Sequence, residues 1–304
     1  MPNTLAHVGL NSILTKAVIR KSDILLIYIG SIIPDIPWIF QRVVSMLYPN
    51  INLYDLRLYF IITSTLFFSL ILCLALSLLL INSRKSFFIL SMGTFSHLLL
   101  DAMEIKWGNG VHFIAPLDWQ LSNFNLFFHE TLFVYLLTIG GIIYLVLSWR
   151  EIGTSNNKLF TFSQKRIALT IFCLAAYFII PLGLLDYPQS ADNHFIRTLR
   201  NKTLRAGKYF EIDRGNFVNK GDEDIFITPF KEVLTINNLN LNESSIMSIR
   251  AWFVTESEIK IQEYHIYKNR DLFSYAGLAI LIILLAIRIR SVHKLKSADA
   301  KSIS

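Results

Sequence analysis

Long apolar runs separated by short polar connections fill the first 186 residues, after which the pattern changes. A bilayer-spanning helix needs about 20 mostly apolar residues. The runs 58–82, 126–148 and 167–185 meet that length, and 273–287 is slightly short. The run 86–103 qualifies while carrying His97 and Asp101 near its end, and 24–41 qualifies with Pro34, Asp35 and Pro37 inside it. The weaker stretch 4–20, interrupted by Asn11, Lys16 and Arg20, is read as the first arm of a helical hairpin with 24–41. With a basic turn around Arg20 and Lys21, His7 and Asp35 lie equally far along the two arms. At about 1.5 Å rise per residue they return to one height, face to face.

Between 187 and 272 the period switches to two. Ile259, Ile261, Tyr264 and Ile266 interleave with Glu258, Lys260, Gln262 and His265, after a turn at Thr255–Ser257. Alternation of this kind marks half-buried strands, and 209–213, 224–229 and 232–236 add three more. The pattern therefore predicts an integral membrane protein, mainly α-helical with six to seven membrane segments and a small β-rich extracytoplasmic insert. Its parts are a polytopic membrane domain at 1–186, the β-rich domain at 187–272, and a C-terminal transmembrane helix with a basic tail at 273–304.

Composition supports a bilayer: 53% of the 304 residues are hydrophobic and only 17% charged, with mean hydropathy +0.46. Soluble domains carry about 25% charged residues. The net charge of +7 is a topology signal, not a nucleic-acid footprint. Fourteen of the 29 basic residues fall in one set of connections, and three (Arg42, Arg57, Lys106) in the alternate short loops. Basic loops stay in the cytoplasm, so 42–57, 104–125 and 187–272 are expected outside and the C-terminus inside, as in a multi-pass protein of a bacterial-type inner membrane. The tail Arg288–Lys301 reads as a stop-transfer flank. Cys73 and Cys173 lie in apolar runs and form neither a disulfide pattern nor a CxxC metal motif.

Ionisable groups inside apolar spans are expensive and by default mark function. Here they gather at one depth. Asp35, His97 and Asp101 lie near outer ends of their runs, with His97 and Asp101 on one helix face by their i, i+4 spacing. His112 and Asp118 follow in the outer loop, and His129 and Glu130 open the next run. Two imidazoles and two carboxylates from His7, Asp35, His97 and Asp101 suit a divalent cation, zinc or alternatively manganese. Such an ion lowers the pKa of a bound water and polarises a phosphoryl or carbonyl oxygen. His112 is a further ligand or a general acid/base, and Asp118 a general base or substrate-positioning group.

At these positions the sequence resembles the membrane-bound metal-dependent hydrolases typified by YdjM. The likeness covers roughly residues 1–125. It rests on Ala6-His7-Val8-Gly9, on Pro34-Asp35-Ile36, and on His97…Asp101 followed by Gly110-Val111-His112-Phe113-Ile114-Ala115-Pro116-Leu117-Asp118-Trp119. Pro37 stands where the family has a second acid. The family's central His-Arg-x-x-Thr-His-Ser aligns best with 59–65, where both histidines are lost. Fewer ions, substitution by His112 and His129, or a degenerate member are the three consequences left open. The family looks related to zinc-dependent phospholipase C enzymes. It implies hydrolysis of a phosphoester or lipid-linked substrate near the outer leaflet by metal-activated water, with membrane lipid or a lipid-linked molecule as the partner. The rival expectation is a non-enzymatic membrane scaffold or envelope factor. Motifs of phosphate-loop, Rossmann, serine-hydrolase and zincin proteins are absent from the sequence.

Overall fold

The computed structural model describes residues 4–19, 22–154, 160–220, 224–239, 241, 243–267 and 274–287. The turn at Arg20 and Lys21 and the basic tail beyond 287 lie outside the described residues. A helical part is built from α1 (Thr4–Val18), α2 (Ile24–Gly30), α3 (Ile36–Leu47), α4 (Leu53–Thr63), α5 (Leu66–Leu78), α6 (Ser83–Met103), α7 (Leu132–Thr154) and α8 (Gln164–Ile179). Two short helices, α9 (Asp186–Ser190) and α10 (Ile196–Arg200), lead into the strands, and α11 (Ser274–Ile287) follows them.

The expectation of six to seven membrane segments is corrected by this structure. Among the described residues, three helical stretches are long and apolar enough to cross a membrane: Ile24–Leu47, Ser83–Met103 and Gln164–Ser190. The count reaches four if α4 and α5, bent by 66° at their junction, form one broken span. The reasons are local. Helix α1 has 15 residues, about 22 Å against a hydrocarbon core of about 30 Å. Residues 126–131 are not helical, so α7 begins at Leu132 with an apolar part to Ser148, and α11 is likewise short. Between α4 and α5 the chain restarts: the Thr65 side chain, in extended backbone, accepts from the Phe68 N–H. That N-cap creates a new helix start inside an uninterrupted apolar run.

Glycines set how closely the helices approach. A Cβ on Gly93 (α6) would lie 2.9 Å from the Gly30 backbone of α2, and one on Gly141 (α7) would lie 2.1 Å from the Leu5 carbonyl oxygen of α1. Small residues at helix crossings permit such backbone contact in membranes. Asn11 of α1 ties the same crossing together, donating to Ser31 Oγ at 2.6 Å and to the Gly93 carbonyl at 3.1 Å. Gly93→Ala is therefore expected to force α2 and α6 apart, at a cost of about 1–3 kcal/mol. A lowered melting temperature in detergent with unchanged helical circular dichroism is the expected signature; an unchanged melting temperature would contradict the crossing.

The five strands β1 (Tyr209–Asn219), β2 (Asp224–Ile227), β3 (Val233–Ile236), β4 (Ser245–Phe253) and β5 (Glu258–Ile266) close into a barrel in the order β1-β2-β3-β5-β4, antiparallel except for the β3–β5 pair. Their inward residues Phe210, Phe217, Phe226, Leu234, Met247, Phe253 and Ile259 form the core. Arg205 is buried against it, its guanidinium over the Phe253 ring and in a forked pair with Glu232 at 2.7 and 2.9 Å. A bulge between Ile212 and Gly215 breaks the β1–β4 register and holds Arg214 in left-handed backbone at φ 63°. The connection between α6 and α7 docks on this edge. Gly108 N–H donates to Glu211 Oε2 at 2.6 Å, and Asn109 Nδ2 donates to Asp213 Oδ2 at 2.8 Å. Gly108 itself sits at φ 70°, where a Cβ would lie 2.5 Å from the Glu211 carbonyl oxygen.

Candidate metal centre

The centre begins at a helix end made by proline. The Gly30 carbonyl at the end of α2 would bond to the amide of residue 34, but Pro34 has no N–H. The Asp35 N–H instead turns back to the Ile32 carbonyl at 2.8 Å, in the 3-10 turn Ile33–Asp35. The Ser31 carbonyl thereby becomes an orphan helix acceptor, and His97 Nδ1 lies 2.6 Å from it. A backbone carbonyl can only accept, so Nδ1 carries a proton, and Nε2 is the nitrogen left to face the carboxylates or a metal ion. Metal-bound histidines are oriented by the same outer hydrogen bond.

Around Nε2 the other groups converge. His97 Nε2 lies 3.4 Å from Asp35 Oδ1 and 3.6 Å from Asp101 Oδ2, and His7 Nε2 lies 3.5 Å from Asp101 Oδ1. The His7 and His97 rings stack at 3.6 Å between centroids, and both residues are fully buried. Neither His7 nitrogen has a hydrogen-bond partner, nor does His97 Nε2. Separations of 3.4–3.6 Å are too long for good N–H···O bonds. They match the edge of a tetrahedron whose arms are about 2.1 Å, which is about 3.4 Å. One donor atom each from His7, His97 and Asp101 falls within 4.8 Å of the others. The donor set thus fits a small divalent ion held by imidazole nitrogen and carboxylate oxygen.

The four residues read from depth and spacing are therefore brought together, though by a different pairing. His7 ends against His97 and Asp101, and it is His97 that Asp35 approaches. His112 is adjacent, not in the cluster: it lines a narrow cavity of about 30 Å³ together with Pro34, Asp101 and His194. Its ring nitrogens make no well-formed hydrogen bond. Burial pushes its pKa down to about 4, so it is neutral near pH 7 and can accept a proton. Asp118 stands apart, exposed, with Oδ1 taken by the Gln120 N–H at 3.0 Å. His129 is also elsewhere, 3.1 Å from Glu130, which pairs with His265 of β5 at 3.2 Å.

Sequence reasoning missed Lys106, which entered only as a loop charge. It is buried, with Nζ 2.9 Å from Asp101 and 3.1 Å from Glu104. It also missed Ser31 and Asn11, whose roles depend on which helix lies opposite. A larger cavity of about 530 Å³ opens from Asp101 and Lys106 to the barrel edge at Asp213, Arg214 and Ile246, with Trp38, Arg57 and His194 along its walls. Protein-family models, curated proteins and solved structures contain no match to this chain.

Proposed function

We propose that this chain is a membrane-bound, metal-dependent hydrolase acting on a phosphoester or lipid-linked substrate at the outer end of its helical part. One observation carries the reading: donor atoms of His7, His97 and Asp101 lie within reach of a single ion, with Asp35 3.4 Å from His97 Nε2 and His97 oriented by the Ser31 carbonyl. Zinc suits this nitrogen and oxygen set, with manganese the alternative. The ion would supply an acidified water and a polarised phosphoryl or carbonyl oxygen. The remaining steps fall to the chain. Neutral His112 takes the proton of the attacking water and returns it to the departing alcohol as the ester bond breaks. Lys106 holds Asp101 in place and offsets negative charge that develops nearby. The apolar side chains exposed along α7 and α8, Leu136, Leu147 and Phe172 among them, support placement in a bilayer. The basic connections support a cytoplasmic C-terminus, and the resemblance over residues 1–125 supports the reaction class.

A second reading has its own observation. Lys106 already supplies a cation to Asp101, as in a purely structural polar knot of a membrane scaffold. Metal analysis of the full chain in detergent separates the two. Stoichiometric zinc or manganese, and cleavage of short-chain phospholipids or phosphodiesters that is lost in Asp101→Asn, are expected. A chelator-insensitive protein with no bound metal and no cleavage would establish the scaffold instead.

A further inference from the structure

The large cavity between helices and barrel is lined by four cations, Arg42, Arg57, Lys106 and Arg214, against two carboxylates, Asp101 and Asp213. Both carboxylates are already engaged. Asp101 pairs with Lys106, and Asp213 lies 3.0 Å from Arg214 Nε while also accepting from Asn109 and from Ser248 at 2.9 Å. Arg57 is different. Its hydrogen-bond partners are neutral: Asn109 at 2.9 Å, His194 Nδ1 at 3.0 Å and Gln41 at 3.4 Å, with the Trp38 ring 4.4 Å below the guanidinium. Among the described residues it has no carboxylate within ion-pairing distance. A partly buried guanidinium without a counter-ion is costly, and arginine stacked on an aromatic face, its fork held only by neutral partners, suits planar anion recognition.

The barrel contributes the second prong through its bulge. Bulges re-aim side chains and recur beside functional sites, and a non-glycine residue in left-handed backbone carries strain that persists only when its surroundings impose it. Here the bulge and the φ of 63° fall on Arg214, at the point where the strand borders the cavity.

We propose that Arg57 and Arg214 form an anion subsite for a phosphate group, shared between helical part and barrel and opening onto Asp101. It deepens the reading above by assigning the place that holds the substrate's phosphate, and rests on that reading only in calling the ligand a substrate. The cavity has the volume of an ordinary small-molecule site, so the phosphate of a soluble ester or of a lipid headgroup fits equally.

Calorimetric titration of the full chain in a non-ionic detergent tests the subsite, once as purified and once after chelation. The probes are inorganic phosphate and dihexanoyl phosphatidic acid. Saturable binding of at least one probe is expected, weakened about tenfold or more in Arg57→Gln and in Arg214→Gln, the loss of one charge-assisted contact each. Arg214→Lys should retain part of the affinity, and the exposed barrel residue change Lys260→Gln should have no effect. Phosphate binding marks a soluble ester, and binding of the lipid alone marks a headgroup. Binding that survives chelation while cleavage is absent upholds the subsite even if the hydrolase reading fails. The proposal is overturned if neither probe binds, or if both arginine variants keep wild-type affinity; melting temperatures of each variant identify any that fail to fold, and the charge-keeping changes Arg57→Lys and Arg214→Lys then replace them, with a smaller weakening expected and wild-type affinity in both overturning the proposal.

Discussion

His97→Ala is expected, on the proposed hydrolase reading, to empty the metal centre and to lower hydrolysis by about three orders of magnitude or more. The size follows from losing the several kcal/mol that a metal contributes to transition-state charge, at 1.36 kcal/mol per decade. His97 is the shared vertex of the cluster, facing Asp35 and Asp101 through one nitrogen and Ser31 through the other. Asp35→Ala removes only one corner and should leave weak, exchangeable metal. Equilibrium dialysis with zinc and manganese, read by elemental analysis, distinguishes the two variants. Equal metal content in wild type and His97→Ala would sink the assignment of this histidine, whatever the effect on activity.

The second large effect concerns the barrel. Glu232→Ala should destabilise it by about 3–5 kcal/mol, because it strands the guanidinium of Arg205 in the core. For a domain of this size that lowers the melting temperature by more than about 10 °C. Glu263→Gln, which opens an exposed pair with Arg250, should cost under about 1 kcal/mol. The same pair sets a pH dependence. Burial pushes the Glu232 carboxyl up, but the hydrogen bonds and charge of Arg205, with Lys202, outweigh it and hold the group below its usual 4.5. A depressed folded-state value stabilises above about pH 4.5, and that stabilisation disappears as pH falls through the folded value. Wild-type barrel stability should therefore drop on acidification below pH 4.5, while Glu232→Ala shows a flatter profile. Parallel pH profiles of the two proteins would contradict the coupling.

The candidate site was legible in unequal parts. Ionisable residues in apolar sequence, the i, i+4 pair His97 and Asp101, and the proline-broken turn at Asp35 could be read directly, because each is a local violation of a pattern. Depth along a span is also a sequence property, which is why His7, Asp35, His97 and Asp101 could be grouped. Lateral position is not. Asp118 in the outer loop and His129 at the start of the next run share the same outer depth, yet one is exposed and the other faces Glu130. The segment count failed for a related reason. Hydropathy registers the apolar run 58–82 but not the helix restart at Thr65, and it starts the run 126–148 at Leu126 although the helix begins at Leu132.

By itself, then, the sequence determined the two textures of this protein, helical apolar runs and alternating strands, because both are one-dimensional periodicities of burial. It also determined which polar residues are misplaced in apolar surroundings. Tertiary structure alone decided that Gly30 and Gly93 would touch, that the Ser31 carbonyl would therefore orient His97, and that Arg57 and Arg214 would face one cavity from opposite domains. Those contacts join residues distant along the chain, and the close packing that selects them follows the shapes of both partners at once.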